Sequence, residues 1–206
     1  MAGGGVSSLY DPLDTVQYTL DEMRAAVRAA EDWGTYVCAH VYTSQGIRRC
    51  LEAGVKSIEH GQLADADSIK AMADAGAWWS LQPFLGDEDA NPKSDPASAA
   101  KQKAVAEGTV RAFDLSRRFK VNLSFGTDTL FNPAGVHRMG RQLAKFERFM
   151  PPLEALRLAT GHAGKLLALS GPRAPYDGPL GVISEGAFAD PAAGLGWLET
   201  HATSLR

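Results

Sequence analysis

The sequence predicts an α/β fold: a parallel sheet covered by helices on one side, amounting to half of a (β/α)8 barrel. Three observations lead there. Short apolar runs alternate with helix-length segments, the pattern of strand–crossover–strand units. Four such runs end near His40, His60, Gln82 and Gly126, where eight would close a barrel. The first two each end in a histidine and are joined by a single helix-length segment. They should therefore be parallel neighbours with both imidazoles at one edge of the sheet. That C-terminal edge is where α/β barrels build their sites.

The elements follow in order. Residues 7–18 read as a loop over the mouth, with Asp11 and Pro12 as turn chemistry. Thr19 and Glu22 make a capping box for a helix over 20–33, with Met23, Ala26, Val27 and Ala30 on one face. Residues 36–40 are the first strand, with Tyr36, Cys38 and His40 inward. A helix over 43–53 opens at Thr43 or Ser44, turns Ile47 and Leu51 inward and stops at Gly54. Its Arg48 and Arg49 read as a solvated face. The second strand ends at His60, and alternation sends Glu59 to the opposite side as a structural partner. A helix over 64–75 carries Asp65 and Asp67 at its start, which suits the dipole. The third strand, 78–82, sets one of Trp78 and Trp79 on each face. The loop 84–96 is longer than the usual ~2–6 residues, and Asp87, Glu88 and Asp89 in it read as solvated charge. A long helix over 97–119 leads to the last strand, 120–126, and a mouth loop, 129–135. A helix over 138–149, a Pro151–Pro152 break, helices over 153–159 and 162–169, and a proline- and glycine-rich exit follow. Residues 180–190 read as one strand, a Glu185–Gly186 turn and the start of another.

His40 and His60 admit three readings: metal ligands, acid/base groups or buried polar core. Their matching positions on neighbouring strands aim both at one mouth. Asp128 adds a carboxylate at another strand end, and two histidines with an aspartate are common ligand types for zinc and related ions. Asp128 can instead cap the following turn. Tyr42, just past the first strand, is either a rim aromatic or a neutral hydrogen-bond donor to developing oxyanion charge. His137 either touches substrate or a ligand, or is a helix-entry histidine with no role.

At these residues the sequence resembles metal-dependent amidohydrolases, in their imidazolonepropionase-like and prolidase-like branch. Ala39-His40-Val41-Tyr42-Thr43, Ser57-Ile58-Glu59-His60-Gly61 and Phe125-Gly126-Thr127-Asp128 are similar to the ends of that family's fifth, sixth and eighth strands. Segments 14–19, 152–160 and 180–186 match further, and the likeness runs to about residue 190. It implies the C-terminal half of the barrel (strands 5–8) over residues 1–170, with 171–206 a remnant of a small β-sandwich and an irregular tail. It implies an enzyme hydrolysing amide or peptide-like C–N bonds in a small-molecule amide, dipeptide or N-acyl amino acid. A divalent metal, zinc by default, would be held by His40, His60 and Asp128. Asp128 would also take the water proton and return it to the leaving amine, and Tyr42 would steady the oxyanion.

Relatives carry a His-X-His pair on the first strand and a lysine on the fourth, and this sequence has neither in place. The chain is therefore expected to begin inside the barrel, a point that upstream genomic DNA tests. The alternative reading is a non-catalytic fragment that needs a partner half-barrel or self-associates through open strand edges and an apolar inner face. A metal-free sugar-phosphate barrel is disfavoured, because no glycine-rich phosphate loop follows the last strands.

Bulk properties bound these readings. A length of 206 residues allows one domain, or one and a fraction. Hydrophobic content of 45%, charged content of 22% and net charge −3 are ordinary and give no basis for nucleic-acid or anionic-membrane partners. No stretch is apolar and long enough for a bilayer. Cys38 and Cys50 make no disulfide framework and are expected as buried thiols. Residues 1–5 are not a signal peptide, and a cytoplasmic location is the expectation. Beyond Asp190 the run Pro191-Ala192-Ala193-Gly194 suggests, as a hypothesis, a frameshift, which resequencing tests. His201 falls in that tail without a role.

Overall fold

A computed structural model describes residues 1–87, 90–129 and 133–188, without the side chains of 133 and 134. Local signals start and stop the helices. Thr19 accepts from the Glu22 amide while Glu22 Oε2 accepts from the Thr19 amide at 2.8 Å, a reciprocal cap that opens α1 (Leu20–Asp32). Gly54, at φ 97°, ends α2 (Ser44–Ala53) in the left-handed conformation. Asp65 caps α3 (Ala66–Asp74), and Asp95 followed by Pro96 opens α4 (Pro96–Phe119).

Between these helices lie β1 (Cys38–Thr43), β2 (Ser57–Leu63), β3 (Trp78–Leu81) and β4 (Asn122–Phe125). They form one four-stranded sheet in the order β1-β2-β3-β4, every pair parallel. The first strand starts two residues later than the sequence suggested and includes Tyr42. It extends because Val41 pairs with His60 and Thr43 with Leu63.

Register sorts the side chains by face. Ala39, Ile58, Trp79 and Leu123 align across the sheet and join Val27, Ile47, Ile69 and Phe113 in the buried core beneath the helices. The opposite face carries the rows Cys38, Ser57, Trp78, Asn122 and His40, Glu59, Ser80, Ser124. The expected apolar inner face is thus mostly polar, and Cys38, expected buried, is exposed on it; Cys50 is buried in α2. The edge of β1 is also partly covered. The amides of Ala2 and Gly3 donate to the His40 carbonyl at 2.8 and 3.2 Å. The loop after them is clamped by Lys101 of α4, whose ammonium donates to the carbonyls of Gly5, Ser8 and Asp11.

After β4 the chain differs from expectation. The single helix over 138–149 is instead a 3-10 turn (Pro133–Arg138), α5 (Met139–Ala144) and a second 3-10 turn (Lys145–Arg148). Tertiary anchors override the helical pattern here. Phe146 is pinned edge-on between Phe113 and Phe125, with centroids 5.1 and 5.2 Å away. Lys145 is drawn down to Asp87 at 2.7 Å. Then come α6 (Pro152–Arg157), a π turn (Leu158–His162), α7 (Ala163–Leu167) and a 3-10 turn (Ala168–Arg173). Residues 174–188 are turns and bends, so the strand expected from 180 does not form among the described residues. Glu88, Asp89, part of the 129–135 loop, the proposed frameshift and His201 lie outside the described residues. No helix among the described residues is long and apolar enough to cross a membrane.

Candidate active site

His40 reaches the C-terminal edge of the sheet by ordinary strand alternation. His60 does not. Register places His40 opposite Glu59, so Glu59 shares the inner face, contrary to the expectation that it points away. Strict alternation would then turn His60 toward the helices. Instead His60 has φ 76° and Gly61 φ 74°, and two successive left-handed residues swing the imidazole back into the mouth. Such a conformation costs a non-glycine residue ~1–3 kcal/mol and is characteristic of functional sites. The indole of Trp79 holds the turn by donating from Nε1 to the His60 carbonyl. Only glycine fits at 61, since a Cβ there would stand 2.7 Å from that indole nitrogen.

The result is a tight aromatic cluster. The rings of His40 and His60 meet edge to face with centroids 4.5 Å apart. Tyr42 stacks on His60 at 4.8 Å and meets His40 edge-on at 5.2 Å. Tyr42 is only 3% exposed, so it is no loose rim aromatic. Each imidazole is anchored through one nitrogen. His40 Nε2–H donates to the Gly4 carbonyl at 3.0 Å, and His60 Nδ1–H donates to Gln82 Oε1 at 3.0 Å. A carbonyl oxygen only accepts, so these partners assign the tautomers and leave Nδ1 of His40 and Nε2 of His60 with bare lone pairs.

Burial sets the charges. It lowers the pKa of both histidines, that of His60 to about 3 with a further push from His40. Both are neutral imidazoles at neutral pH, the form that ligates metal. Burial first, then the nearby Asp128 charge, raises the Tyr42 phenol above its ordinary range, which keeps it a protonated donor. Burial also raises Asp128; Lys93 opposes that shift and Glu59 adds to it.

Asp128 sits in a left-handed turn, φ 49°, beyond β4. With Tyr42, Phe84, Lys93, Thr127 and Arg138 it lines a cavity of about 140 Å³. Tyr42 shares that lining and feels the Asp128 charge, whereas neither imidazole is part of it. Among the described residues no three His, Cys, Asp or Glu side chains are grouped so as to hold a metal ion. The pair fits two ligand positions for a borderline cation by chemistry and by its anchored rings. His137 is exposed on the 3-10 turn and does not line the cavity. Asp87, expected to be solvated, is instead largely buried with Lys145 and Arg148, at 2.7 and 3.4 Å.

Sequence reasoning passed over Gln62 and Gln82. Gln82 had a visible signal, because it stands just past the end of the third strand as His40 and His60 stand near the ends of theirs. The Gly4 carbonyl had none, since any residue supplies a carbonyl.

A parallel α/β sheet with imidazoles at its C-terminal edge is the architecture of the (β/α)8 barrels. More particularly, the chain belongs to the amidohydrolase family, whose model matches residues 1–191. It is 32% identical to an ochratoxinase from Aspergillus niger over 195 residues, covering 92% of this chain and 38% of that protein. A prolidase crystallised with N-methylphosphonate-L-proline superposes with a TM-score of 0.80 at 32% identity, over 96% of this chain and 49% of its own. A Xaa-Pro dipeptidase with bound methionine gives 0.77 at 26% identity, over 96% and 50%. The chain thus spans about half or less of the length of the relatives it matches.

Proposed function

We propose that this chain hydrolyses an amide or peptide-like C–N bond, and that its four strands take the places of the fifth to eighth strands of a (β/α)8 barrel. The family match supports the first point, and the order of the strand ends His40, His60 and Asp128 supports the second. One observation carries the reading: two neutral imidazoles and a phenol packed within 5.2 Å of one another at the edge where such barrels react. His40 and His60 would hold a divalent cation, zinc by default, with Asp128 as third ligand or as proton acceptor. When bound, such an ion supplies Lewis-acid polarisation of a carbonyl and makes water acidic enough to react near neutral pH.

The chain's own groups do the rest. Tyr42, held protonated, donates to the oxygen of the scissile carbonyl as charge develops there. Asp128, with its raised pKa, takes a proton from water and gives it to the departing amine. The cavity beside them receives the part of the substrate past the bond. Xaa-Pro dipeptides, N-acyl amino acids and ochratoxin are the substrates to try, by likeness to the prolidase, the dipeptidase and the ochratoxinase.

The purified chain should hydrolyse at least one of these once zinc or manganese is added, and chelation should abolish the activity. Metal-independent turnover, or none with any of the three classes, would reject the reading. A second reading keeps the site but makes the chain a half that needs a partner half-barrel. It is favoured by the absence of a three-ligand group among the described residues. Activity that appears only when the other half of a related barrel is co-expressed would select it.

A further inference from the structure

Behind His60 lies a buried amide relay whose atoms can be assigned one by one. Gln82 Nε2 donates to the Ser80 carbonyl at 3.0 Å. Its Oε1 is therefore the atom turned toward His60, 3.0 Å from Nδ1. Gln62 Nε2 donates to that same Oε1 at 3.3 Å and to the Gln82 carbonyl at 3.4 Å. Flipping Gln82 would set its NH2 group against that of Gln62. Flipping Gln62 would set its oxygen against two acceptors. Neither flip is free of conflict, so the three side chains hold one another in a single arrangement.

That arrangement has a cost that identifies it as more than packing. Gln62 Oε1 is buried with no hydrogen-bond partner, a deficit of ~1–3 kcal/mol for such a group. Gln62 and Gln82 are 0% and 2% exposed, so bulk water does not compete with the relay. The residue just past β4 also makes room for it: a Cβ at Gly126 would stand 3.0 Å from Gln82 Nε2.

We propose that Gln82 is a positioning residue for His60 and that Gln62 locks Gln82, so that the imidazole is held as the Nδ1–H tautomer with a bare Nε2. The purpose of this lock rests on the amide-hydrolase reading; its existence does not. Only a fixed tautomer keeps the same lone pair on the site at every moment.

The test is a long-range 1H–15N correlation spectrum of the 15N-labelled chain at neutral pH, without added metal. His60 signals are identified by their loss in His60→Asn. The wild type should show the Nδ1–H pattern. Gln82→Met, which keeps the volume and removes the acceptor, should lose it in favour of Nε2–H. Gln82→Glu, which keeps an acceptor oxygen, should retain it. Gln62→Met should give an intermediate mixture. An Nε2–H pattern in the wild type, or an unchanged pattern in a folded Gln82→Met chain, overturns the proposal. Should Gln82→Met fail to fold, the wild-type pattern alone decides. An intact Nδ1–H pattern in a chain that hydrolyses nothing overturns the functional reading and leaves the lock standing.

Discussion

The two sides of the mouth are built by different physics. At β1 and β2 the candidate ligands are imidazoles held by main-chain and amide hydrogen bonds: His40 on the Gly4 carbonyl, His60 on Gln82. Beyond β3 and β4 the groups are charged and sit on loops and short turns, with Asp87 on Lys145 and Arg148, and Asp128 near Lys93. The first side brings rings within 4.5 Å because consecutive strands fix their positions. The second side depends on ion pairs between segments distant in the chain. Preorganised neutral donors and acceptors suit the reacting centre proposed there, whereas charges on loops govern how the wall around it is assembled.

That contrast can be tested from the largest expected effect downward. His60→Asn should cut metal-dependent hydrolysis by ~10³-fold, as expected where a group that positions the Lewis acid is lost, while the thermal unfolding midpoint moves little. Steady-state kinetics checks this; retained activity would remove His60 from the reaction. On the charged side the largest effect should be on stability. Lys145→Met removes the 2.7 Å partner of Asp87, whose side chain is 12% exposed, and keeps the longer contact to Arg148 at 3.4 Å. Breaking a largely buried pair of this kind costs ~3 kcal/mol, measurable by urea denaturation. A change under ~1 kcal/mol would put the pair among exposed salt bridges instead.

Gly61→Ala tests the turn between these extremes. A Cβ at φ 74° against the Trp79 indole should cost ~2 kcal/mol and disturb His60 more than His40, seen as selective shifts of the His60 imidazole signals. Taken per pH unit, the smallest expected effect is that of acid. The folded pKa of His60, about 3, lies below its unfolded value of 6.5, so the unfolded chain binds more protons in that interval. Stability from this group is full above pH 6.5 and is lost as pH falls toward 3, at up to ~1.4 kcal/mol per pH unit. His60→Asn should flatten that slope; an unaltered slope would assign the acid sensitivity to other groups.

Much of the scaffold was legible because its signals are local. The capping box at Thr19 and Glu22, the stop at Gly54 and the alternation of apolar runs each act within a few residues, and tertiary packing did not oppose them. The strand-end residues His40, His60 and Asp128 were legible for the same reason. Errors cluster where a distant contact overrode a local rule. Asp87 looked solvated until Lys145, far along the chain, closed over it. The helix through Lys145 broke because Phe146 had a better place between Phe113 and Phe125. Glu59 was assigned to the wrong face because period-two alternation carries no notice of a left-handed residue.

The amino-acid order by itself determined a parallel sheet with helices on one side, and which residues stand at its C-terminal edge, because strand length, caps and hydrophobic period are set by near neighbours. Only the folded molecule decided that His60 turns inward through a left-handed step, that Asp128 shares a cavity lining with Tyr42, and that Gln62 and Gln82 fix a tautomer. Those outcomes depend on hydrogen bonds and packing between segments that meet only when the sheet is assembled, and no local pattern encodes such a meeting.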